Sequence, residues 1–412
     1  MTLHTTHCRF CNEKLEYTFL DLGETPLANS YLPLDADWTQ EKHYPLHVRV
    51  CGSCYLVQAE SVVPPEQIFS RYAYFSSYSS SWLEHARAFT HSMVERFQLN
   101  RQSRVVEIAS NDGYLLRHFV ELGIPCLGIE PAENVAQAAI AIGVPTKVQF
   151  FGLGTAKTLL SRDGYADLII ANNVLAHVPE LNDFIAGLAE LLAVNGVLSV
   201  EFPHLLKLIQ QTQFDTIYHE HYCYFSLLSV EKILAAHGLK LFDVEELSTH
   251  GGSLRILAAK TNGIFKKESP RLLQVRKEEG LAKLDTLQAY QGFEAQANTV
   301  CKQFKRFLQK AAADKKIIAA YGAAAKGNTF LNYCGISNQE INCVFDKNPA
   351  KQRHLLPGSH IPVHAPETIA SIKPDYLVIL PWNLANEISQ QMSELRSWGG
   401  KFVTAIPDIR VF

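Results

Sequence analysis

From Arg104 onward, short apolar runs alternate with amphipathic stretches, and this alternation constrains the fold more than any other feature of the sequence. Strand candidates lie at 105–108, 126–130, 166–171 and 196–201, and helix candidates lie between them at 115–122, 134–142 and 183–192. Such alternation predicts a mainly parallel sheet that helices cover on both faces. We therefore expect a fold of the α/β class.

A second α/β pattern follows nearer the carboxyl end. Its strand candidates lie at 317–321, 343–346 and 376–380. Before them, a charged stretch at 268–312 carries apolar residues three and four positions apart, which predicts long connecting helices. At about 150 residues per domain, the 412 residues correspond to two or three domains. We expect domains at 1–72, 73–262 and 263–412, the last including the helical linker.

Four of the nine cysteines form two Cys-x-x-Cys pairs, Cys8/Cys11 and Cys51/Cys54. An odd cysteine count argues against a disulfide framework in a reducing compartment. Two such pairs can supply the four thiolates of a tetrahedral zinc site, which leaves no open position and is therefore structural. The alternatives are a thioredoxin-like redox pair or buried thiols, although one redox motif does not explain two pairs. Residues 1–70 show only short β-type runs and would have a poor core without the metal.

Charge and hydropathy exclude several classes of partner. The chain has 38 lysine and arginine residues and 41 aspartate and glutamate residues, so its formal net charge is 38 − 41 = −3. The basic residues form no continuous block. This balance argues against a zinc-ribbon protein that binds nucleic acid, and against binding to anionic lipid. No apolar run approaches the roughly 18 residues that span a bilayer, and the first residues show no signal-peptide pattern. We expect a cytoplasmic protein without a nucleic-acid or membrane partner.

A candidate nucleotide-type site joins the first strand to the helix that begins near residue 114. The run Glu107-Ile-Ala-Ser-Asn-Asp-Gly113 stands where a chain turns tightly and aims a helix N-terminus at a ligand. Glu130 ends the next strand, where a carboxylate can accept both hydroxyls of a ribose. The pair resembles the S-adenosylmethionine site of class I methyltransferases, with Ala109 and Asn111 at two positions that are typically glycine. A dinucleotide site stays open, although the missing central glycine disfavours it.

Two further polar runs follow later strands of the same sheet. The loop Asn172-Asn-Val-Leu-Ala-His177 lies at the carboxyl end of the third strand, where such folds bind ligands. The run Tyr218-His-Glu-His-Tyr222 places three titratable residues between two tyrosines. Histidine titrates near neutral pH and a carboxylate can orient it, so this run suits proton transfer. A second metal site or a solvated helix N-terminus is the alternative for the run, and His177 alone could cap a helix.

Several longer motifs occur together in this chain: Val106-Glu-Ile-Ala-Ser-Asn-Asp-Gly-Tyr-Leu115, Asn172-Asn-Val-Leu-Ala-His-Val-Pro179, Glu201-Phe-Pro-His204, Tyr218-His-Glu-His221 and Thr249-His-Gly-Gly-Ser-Leu-Arg255. With the four cysteines, Arg71-Tyr-Ala-Tyr-Phe-Ser-Ser-Tyr78 and Gly322-Ala-Ala-Ala-Lys-Gly-Asn328, they cover essentially the whole sequence. The combination resembles the sugar C-methyltransferase family, which acts in the biosynthesis of branched-chain deoxysugars of the mycarose and kijanose type.

The resemblance implies a domain plan and a reaction. It implies a small zinc-binding amino-terminal domain, a central class I S-adenosylmethionine methyltransferase domain and a carboxyl-terminal Rossmann-like domain. The substrate would be a nucleotide-diphosphate 4-keto-6-deoxy sugar bound between the last two, methylated at C3 through an enolate. Such an enzyme needs a base for the C3 proton and a donor for the C4 oxygen. We expect a monomer or a small homo-oligomer.

The resemblance also implies the roles of individual residues. His221 is the candidate base, with Glu220 as its orienter or as an alternative base. Tyr218 and Tyr72 would donate to the enolate oxygen or position the sugar, and His177 would bind or polarise it. The implied cofactor contacts are Glu107, Ala109, Asn111, Gly113, Tyr114, Glu130, Pro131, Asn134 and Asn172. The implied substrate contacts are Asn173, Tyr321, Lys326, Asn328 and Asn383.

The turn that begins at Gly322 has two interpretations. It follows a strand and precedes a helix, as in a nicotinamide site, but it lacks Gly-x-Gly, and no P-loop Lys-Ser/Thr follows its last glycine. We prefer a contact of its backbone amides and Lys326 with a substrate diphosphate or nucleoside. The alternative function for the whole chain is methylation of oxygen or nitrogen on a non-sugar small molecule, which would need no enolate stabiliser.

Overall fold

The computed structural model describes residues 3–69, 75–78 and 80–412, and the amino-terminal part consists of short antiparallel strands. Its elements are β1 (Leu3–His4), β2 (Tyr17–Thr25), β3 (Leu32–Pro33), β4 (Tyr44–Val50), β5 (Val57–Ala59), β6 (Ser61–Val62) and α1 (Pro65–Phe69). Along β4 the apolar residues Leu46, Val48 and Val50 are buried and alternate with half-exposed residues. This period of two gives the sheet one face that packs on the rest of the protein.

The central part forms a seven-stranded sheet. Its elements are α2 (Ser80–Phe97), β7 (Val105–Ile108), α3 (Leu116–Glu121), β8 (Cys126–Glu130), α4 (Glu133–Ala141), β9 (Thr146–Val148), α5 (Leu153–Asp163), β10 (Ala166–Asn172), α6 (Leu181–Leu191), β11 (Leu192–Pro203), α7 (Leu205–Gln210), β12 (Cys223–Tyr224), α8 (Leu227–Ala236), β13 (Leu239–Leu247) and β14 (Ser253–Lys260). The strand order is β9-β8-β7-β10-β11-β14-β13. Only the pairs β11/β14 and β14/β13 are antiparallel.

Both faces of this sheet are buried, as the sequence predicts. In β10, Ile169 and Ala171 join one apolar core, while Leu168 and Ile170 join the core on the opposite face. A strand covered on both sides has no polar face, which explains its continuous apolar sequence. In the sheet, β8 lies on one side of β7 and β10 lies on the other, so the strand order reverses between β7 and β10. Ligands of such sheets bind where the order reverses, at the carboxyl ends of β7 and β10.

The carboxyl-terminal part forms a second, mainly parallel sheet. Its elements are α9 (Pro270–Leu281), α10 (Phe293–Ala313), β15 (Ile318–Tyr321), α11 (Ala325–Tyr333), β16 (Val344–Phe345), β17 (His354–Leu355), β18 (Val363–His364), α12 (Ile369–Ile372), β19 (Tyr376–Ile379), α13 (Ala385–Gln391), β20 (Lys401–Thr404) and β21 (Arg410–Val411). The strand order is β18-β16-β15-β19-β20-β21. The expected linker is two helices, α9 and α10, and Gly292 with φ of +83° precedes the second.

Strands from different parts of the chain pair with one another. β12 adds to the edge of the amino-terminal sheet beside β5, and β17 pairs with β3. Phe19 of β2 stacks on Phe293 of α10 with ring centroids 4.5 Å apart. The amino-terminal part therefore completes its core on the other two parts rather than alone. Among the helices of the described residues, none has the length and apolar character needed to cross a membrane.

Candidate active site

The four paired cysteines converge on one point. Their sulfur atoms all lie within 4.8 Å of one another. Cys8 and Cys54 are 3.5 Å apart and Cys11 and Cys51 are 3.4 Å apart, so the close sulfur pairs join the two knuckles. A zinc–sulfur distance of about 2.3 Å requires sulfur atoms roughly 3.8 Å apart in a tetrahedron. This set fits a structural zinc ion and does not fit two separate redox pairs.

The two knuckles have the same backbone geometry. Asn12 and Tyr55 follow the second cysteine of each pair with φ of 61° and 65°. Their N–H groups donate to the carbonyls of Cys8 and Cys51 at 3.0 and 3.1 Å. The Gln58 amide also donates to the Cys8 sulfur at 3.1 Å. Such donors stabilise thiolates and orient them as metal ligands.

The loop after β7 turns sharply at the three predicted cofactor positions. Ala109, Asn111 and Gly113 all adopt positive φ, at 55°, 49° and 74°. Asparagine reaches this conformation at low cost because its short amide can hydrogen bond locally, while alanine is strained by about 1–2 kcal/mol. Gly113 has a second constraint, since a Cβ there would lie 2.9 Å from Cγ2 of Val144. The backbone at Ala109 and Asn111 thus has the positive φ that is typical of glycine, although neither residue is a glycine.

Carboxylates surround this loop. The Glu130 carboxylate accepts the N–H groups of Asn111 and Ala132, each at 2.9 Å. Burial raises the pKa of Glu107 well above its usual value, and the negative charges of Glu130 and Asp112 raise it further. Burial also raises the pKa of Glu130, against the two backbone donors. One oxygen each of Glu107 and Asp112 is buried without a hydrogen-bond partner in the part of the chain that the structure describes.

A cationic ligand fits these carboxylates because its charge would hold them in the ionised form. S-adenosylmethionine carries a sulfonium and an ammonium group, and Glu130 keeps lone pairs beyond those that accept the two backbone groups. Tyr114 borders the same site, stacking near Trp82 at 6.1 Å and hydrogen bonding Glu107. Pro131 follows Glu130 directly, and Asn134 lies in the first turn of α4. The predicted cofactor residues on β7, β8 and α4 therefore meet at one edge of the sheet.

The serine-rich segment before α2 lies on the same loop. The N–H of Ser76 donates to the Asn111 side chain at 2.9 Å, and the N–H of Ser77 donates to Asp112 at 3.1 Å. Residues 75–78 thus lie against the loop at the carboxyl end of β7. Tyr72, which carries one of the predicted catalytic roles, lies outside the described residues.

The carboxyl end of β10 presents two asparagines. Asn173 has φ of 54°, and its N–H donates to the Glu201 carbonyl at 2.7 Å. The amide nitrogen and oxygen of its side chain, and the Asn172 amide oxygen, are buried without partners among the described residues. A buried amide without hydrogen-bond partners raises the free energy of the folded state. These groups are therefore well suited to bind polar atoms of a ligand.

His177 and His221 face each other, with ring centroids 4.8 Å apart. Nδ1 of His221 donates to the carbonyl of Thr216, and Nδ1 of His177 donates to the carbonyl of Glu220, each at 2.8 Å. A carbonyl only accepts, so Nδ1 carries the proton and Nε2 carries the lone pair in both neutral rings. The Tyr218 ring lies over His221 at 4.1 Å.

Burial keeps these histidines neutral. It lowers the pKa of His177 to about 4. Burial also lowers the pKa of His221 well below its usual value, and repulsion from Lys326, and from His177 or His250 when either is protonated, lowers it further. A neutral imidazole with a fixed tautomer is the form that can accept a proton. The fixed tautomer therefore leaves Nε2 of His221 as the ring atom that can accept a proton.

The predicted run of three titratable residues separates in space. His219 points to the amino-terminal part, where its Nε2 contacts the Tyr44 carbonyl at 3.2 Å, and burial lowers its pKa to about 4. The Glu220 carboxylate accepts the Asn29 amide at 2.5 Å. A second metal site is not supported, because the four cysteines are the only group of three or more ligand-type side chains gathered in the described residues.

The carboxyl-terminal part contributes a buried cation. Nζ of Lys326 donates to the Asn383 amide oxygen at 2.9 Å and lies 4.8 Å from the centroid of the Trp382 ring. Burial lowers the pKa of Lys326, and the negative charge of Asp215 opposes this shift. Burial raises the pKa of Asp215 to about 6. Lys326 thus lies near His221 and Asp215 of the central part, with Asn383 bound to it.

The other two predicted substrate residues of the carboxyl-terminal part, Asn328 and Tyr321, are buried. Asn328 is fully buried and its amide donates to the Ala28 carbonyl at 2.6 Å, while its amide oxygen has no partner in the described chain. The Tyr321 hydroxyl is likewise buried and unpaired there. Asp346 accepts the N–H of Ala323 at 2.7 Å, so this carboxylate holds the turn after β15.

Sequence reasoning missed several residues of the site. His250 has φ of 54° and lies 5.6 Å from Trp82, and burial lowers its pKa to about 4. The Asp215 carboxylate accepts the Trp382 indole N–H at 2.8 Å. Asn29 binds the Glu220 carboxylate. His250 belongs to the Thr249–Arg255 motif and carried a signal, whereas Asp215, Trp382 and Asn29 carried none.

Comparisons with known proteins agree with this geometry. Family models match residues 8–69 ("Putative zinc binding domain"), 82–244 ("Methyltransferase domain") and 248–407 ("C-methyltransferase C-terminal domain"). The C-methyltransferase NovU of Streptomyces niveus is 35% identical over 404 residues, covering 98% of this chain and 96% of that protein.

Solved structures show partial similarity. Magnesium protoporphyrin IX methyltransferase from Synechocystis PCC 6803, with bound SAM, is 18% identical with a TM-score of 0.34, covering 43% of this chain and 79% of that chain. The PH0226 protein from Pyrococcus horikoshii OT3 is 14% identical with a TM-score of 0.38, covering 48% and 98%. The family matches and the sheet topology confirm the class I fold, its S-adenosylmethionine cofactor and the zinc-binding part.

Proposed function

The chain belongs to the C-methyltransferase family, and from this premise we propose that it methylates C3 of a nucleotide-linked 4-keto-6-deoxy sugar through an enolate. The C-methyltransferase class rests on the comparisons. The sugar, the carbon and the enolate are our proposal, supported by the residues gathered at the carboxyl ends of β7, β10 and β11. The assignment of residues 263–412 as substrate-binding is part of the same proposal.

Carbon methylation needs a carbanion, and this requirement sets the chemistry. A C–H bond beside a ketone can lose its proton because the carbonyl oxygen accepts the electron pair as an enolate. S-adenosylmethionine supplies the electrophilic methyl group when it is bound. The protein must therefore remove a proton from carbon, stabilise negative charge on oxygen and keep water from the forming bond.

The observation that carries the proposal is the state of His221. Its Nδ1 proton is fixed on the Thr216 carbonyl, and burial with nearby positive charge lowers its pKa well below the usual value. Nε2 thus carries the lone pair, and Lys326 of the carboxyl-terminal part lies near enough to act on the ring. Breaking the C3–H bond would place the proton on Nε2 and the electron pair on the C4 oxygen. Methylation of oxygen or nitrogen would need no group that stabilises an enolate.

The remaining groups have roles that the proposal defines. Tyr218, beside His221, donates to the enolate oxygen or positions the sugar, and His177 binds the sugar. Lys326 of the carboxyl-terminal part lies near His221 with Asn383 bound to it, and both suit the nucleotide diphosphate. One oxyanion donor typically contributes about 10²–10³-fold to the rate. The role of Tyr72 stays a prediction from the sequence.

The test is incubation with S-adenosylmethionine and a panel of thymidine, uridine and guanosine diphosphate 4-keto-6-deoxyhexoses. We expect one panel member to gain one methyl group, with NMR showing loss of the C3 hydrogen and a new carbon–carbon bond. C5 also adjoins the C4 ketone, so methylation at C5 would retain the enolate and overturn the assignment to C3. A methyl group on oxygen or nitrogen would overturn the whole proposal.

A further inference from the structure

A short turn of the amino-terminal part lies between the catalytic loop and the carboxyl-terminal part. The N–H of Ser30 donates to the Leu27 carbonyl at 3.0 Å, which closes a turn with Asn29 at its tip. The Ala28 carbonyl accepts the Asn328 amide at 2.6 Å, and the Tyr31 hydroxyl donates to the Ala323 carbonyl at 2.5 Å. Contacts on both sides of Asn29 therefore fix the turn against α11 and the loop before it.

The tip of this turn binds the catalytic loop. Nδ2 of Asn29 donates to Oε1 of Glu220 at 2.5 Å, and Glu220 as a residue is 6% exposed. The backbone carbonyl of Glu220 in turn accepts Nδ1 of His177 at 2.8 Å. Glu220 also immediately precedes His221. The residue that Asn29 binds is thus linked to both histidines of the candidate site.

We propose that Asn29 is a positioning residue for methyl transfer, which acts through Glu220 by holding the loop that carries the base. This inference rests on the proposed function and on the role of orienter that the sequence resemblance implies for Glu220. A hydrogen bond to a charged group is short and strong, and it fixes the acceptor as well as stabilising it. The turn is also bonded to the segment that carries the candidate substrate residue Asn328. Asn29 therefore holds this loop within the same framework that receives the substrate.

The experiment is a double-mutant cycle read as exchange of the sugar α-hydrogen with heavy water. The probe is thymidine diphosphate 4-keto-6-deoxyglucose, or the panel member that the enzyme methylates, with S-adenosylhomocysteine in the cofactor site. We expect Asn29→Ala to slow exchange by about ten- to a hundredfold with an unchanged KM, because a hydrogen bond to a charged group is lost. In a Glu220→Ala background, the same change should alter the rate by less than about twofold.

Two further variants keep the test decisive. Asn29→Asp has the same size and replaces the donor with a charged acceptor, so it should slow exchange at least as much if Asn29→Ala does not fold. Asn182 is the matched control, because its amide also bridges to the amino-terminal part, donating to the carbonyls of Arg9 and Phe10. Asn182→Ala should leave exchange within about twofold of the parent rate, since it lies outside the network around Glu220.

The outcomes separate the two proposals. If Glu220→Ala slows exchange and Asn29→Ala slows it equally in both backgrounds, Asn29 acts independently of Glu220 and this inference alone fails. If Glu220→Ala exchanges at the parent rate, the predicted role of Glu220 fails and the inference fails with it, while the proposed function stands on His221. Equal losses in Asn182→Ala and Asn29→Ala would show that Asn29 is only a tether between domains.

Discussion

At the scale of the residue, backbone conformation determines which side chains the cofactor loop accepts. Positive φ is shared by Ala109, Asn111 and Gly113, but only Gly113 also lacks room for a Cβ. The spacing in the sequence predicts the loop correctly although two of the typical glycines are absent. Which of the three positions tolerates a side chain depends on Val144, which lies after α4 and gives no signal in the sequence.

Gly113→Ala should destabilise the protein by more than about 2 kcal/mol, because the new Cβ meets Val144 and φ stays positive. Chemical denaturation measures this loss. Gly154→Ala is the matched control, because Gly154 lies in the first turn of α5 and a Cβ added there would meet nothing within 4 Å. It should stabilise the protein by up to about 1 kcal/mol. Equal stability of the two variants would contradict this account of the loop.

Glu130→Ala should weaken S-adenosylmethionine binding by roughly ten- to a hundredfold, because it removes a charged hydrogen-bond acceptor. The same carboxylate also accepts two backbone N–H groups of the loop, so part of the loss will come from a less ordered loop. Isothermal titration calorimetry measures the affinity. Glu133→Ala, which changes an exposed acidic residue in the next helix, is the control. Unchanged affinity in Glu130→Ala would remove Glu130 from the site.

At the scale of the element, local sequence predicts most of the central sheet. The expected strands at 105–108 and 126–130 coincide with β7 and β8. β11 is longer than expected, running from Leu192 to Pro203, because it follows α6 with no intervening loop. β13 and β14 were missed as strands, since a short apolar run alone does not separate strand from helix. Their antiparallel pairing depends on β11, which lies far away in the sequence.

Cys51→Ser should lower the zinc content below one per chain and destabilise the amino-terminal part. Structural zinc contributes about 10–16 kcal/mol of apparent binding free energy in finger peptides, so loss of one ligand should lower the melting temperature markedly. Because this part shares its core with the other two, we expect the melting of the whole chain to shift. Cys126→Ser, outside the cluster, is the control. An unchanged melting profile with substoichiometric zinc would contradict the structural role.

At the scale of the whole molecule, the site depends on contacts that the sequence does not reveal. Asn29 and Glu220 are 191 positions apart, and Asp215 and Trp382 are 167 apart. β12 continues from the catalytic loop into the amino-terminal sheet, so the three parts meet at this loop. The motifs predict which residues matter on the central sheet. The partners that orient them come from other domains and carry no local pattern.

His219 makes the junction between these parts sensitive to acid. It is buried against β4, and its folded pKa of about 4 is below the unfolded value of about 6.5. The unfolded chain therefore binds more protons between these values, and this histidine costs stability as the pH falls through that window. Between pH 7 and pH 5, the free energy of unfolding should fall less in His219→Gln than in the parent. The difference between the two falls should be on the order of 1–2 kcal/mol. Urea denaturation measures the difference. The exposed His43→Gln should behave as the parent, and a parallel pH dependence in both variants would contradict the assignment.

The most direct test of the account is exchange of the substrate α-hydrogen with heavy water in His221→Ala, followed by NMR. This readout reports enolate formation without requiring a methyl donor. We predict that His221→Ala binds both ligands as the parent does and suppresses exchange and methyl transfer together, by about 10²–10⁴-fold. Glu220→Gln should slow exchange less than His221→Ala does. Exchange at the parent rate in His221→Ala, with loss of exchange in Glu220→Gln, would show that Glu220 is the base and contradict the account.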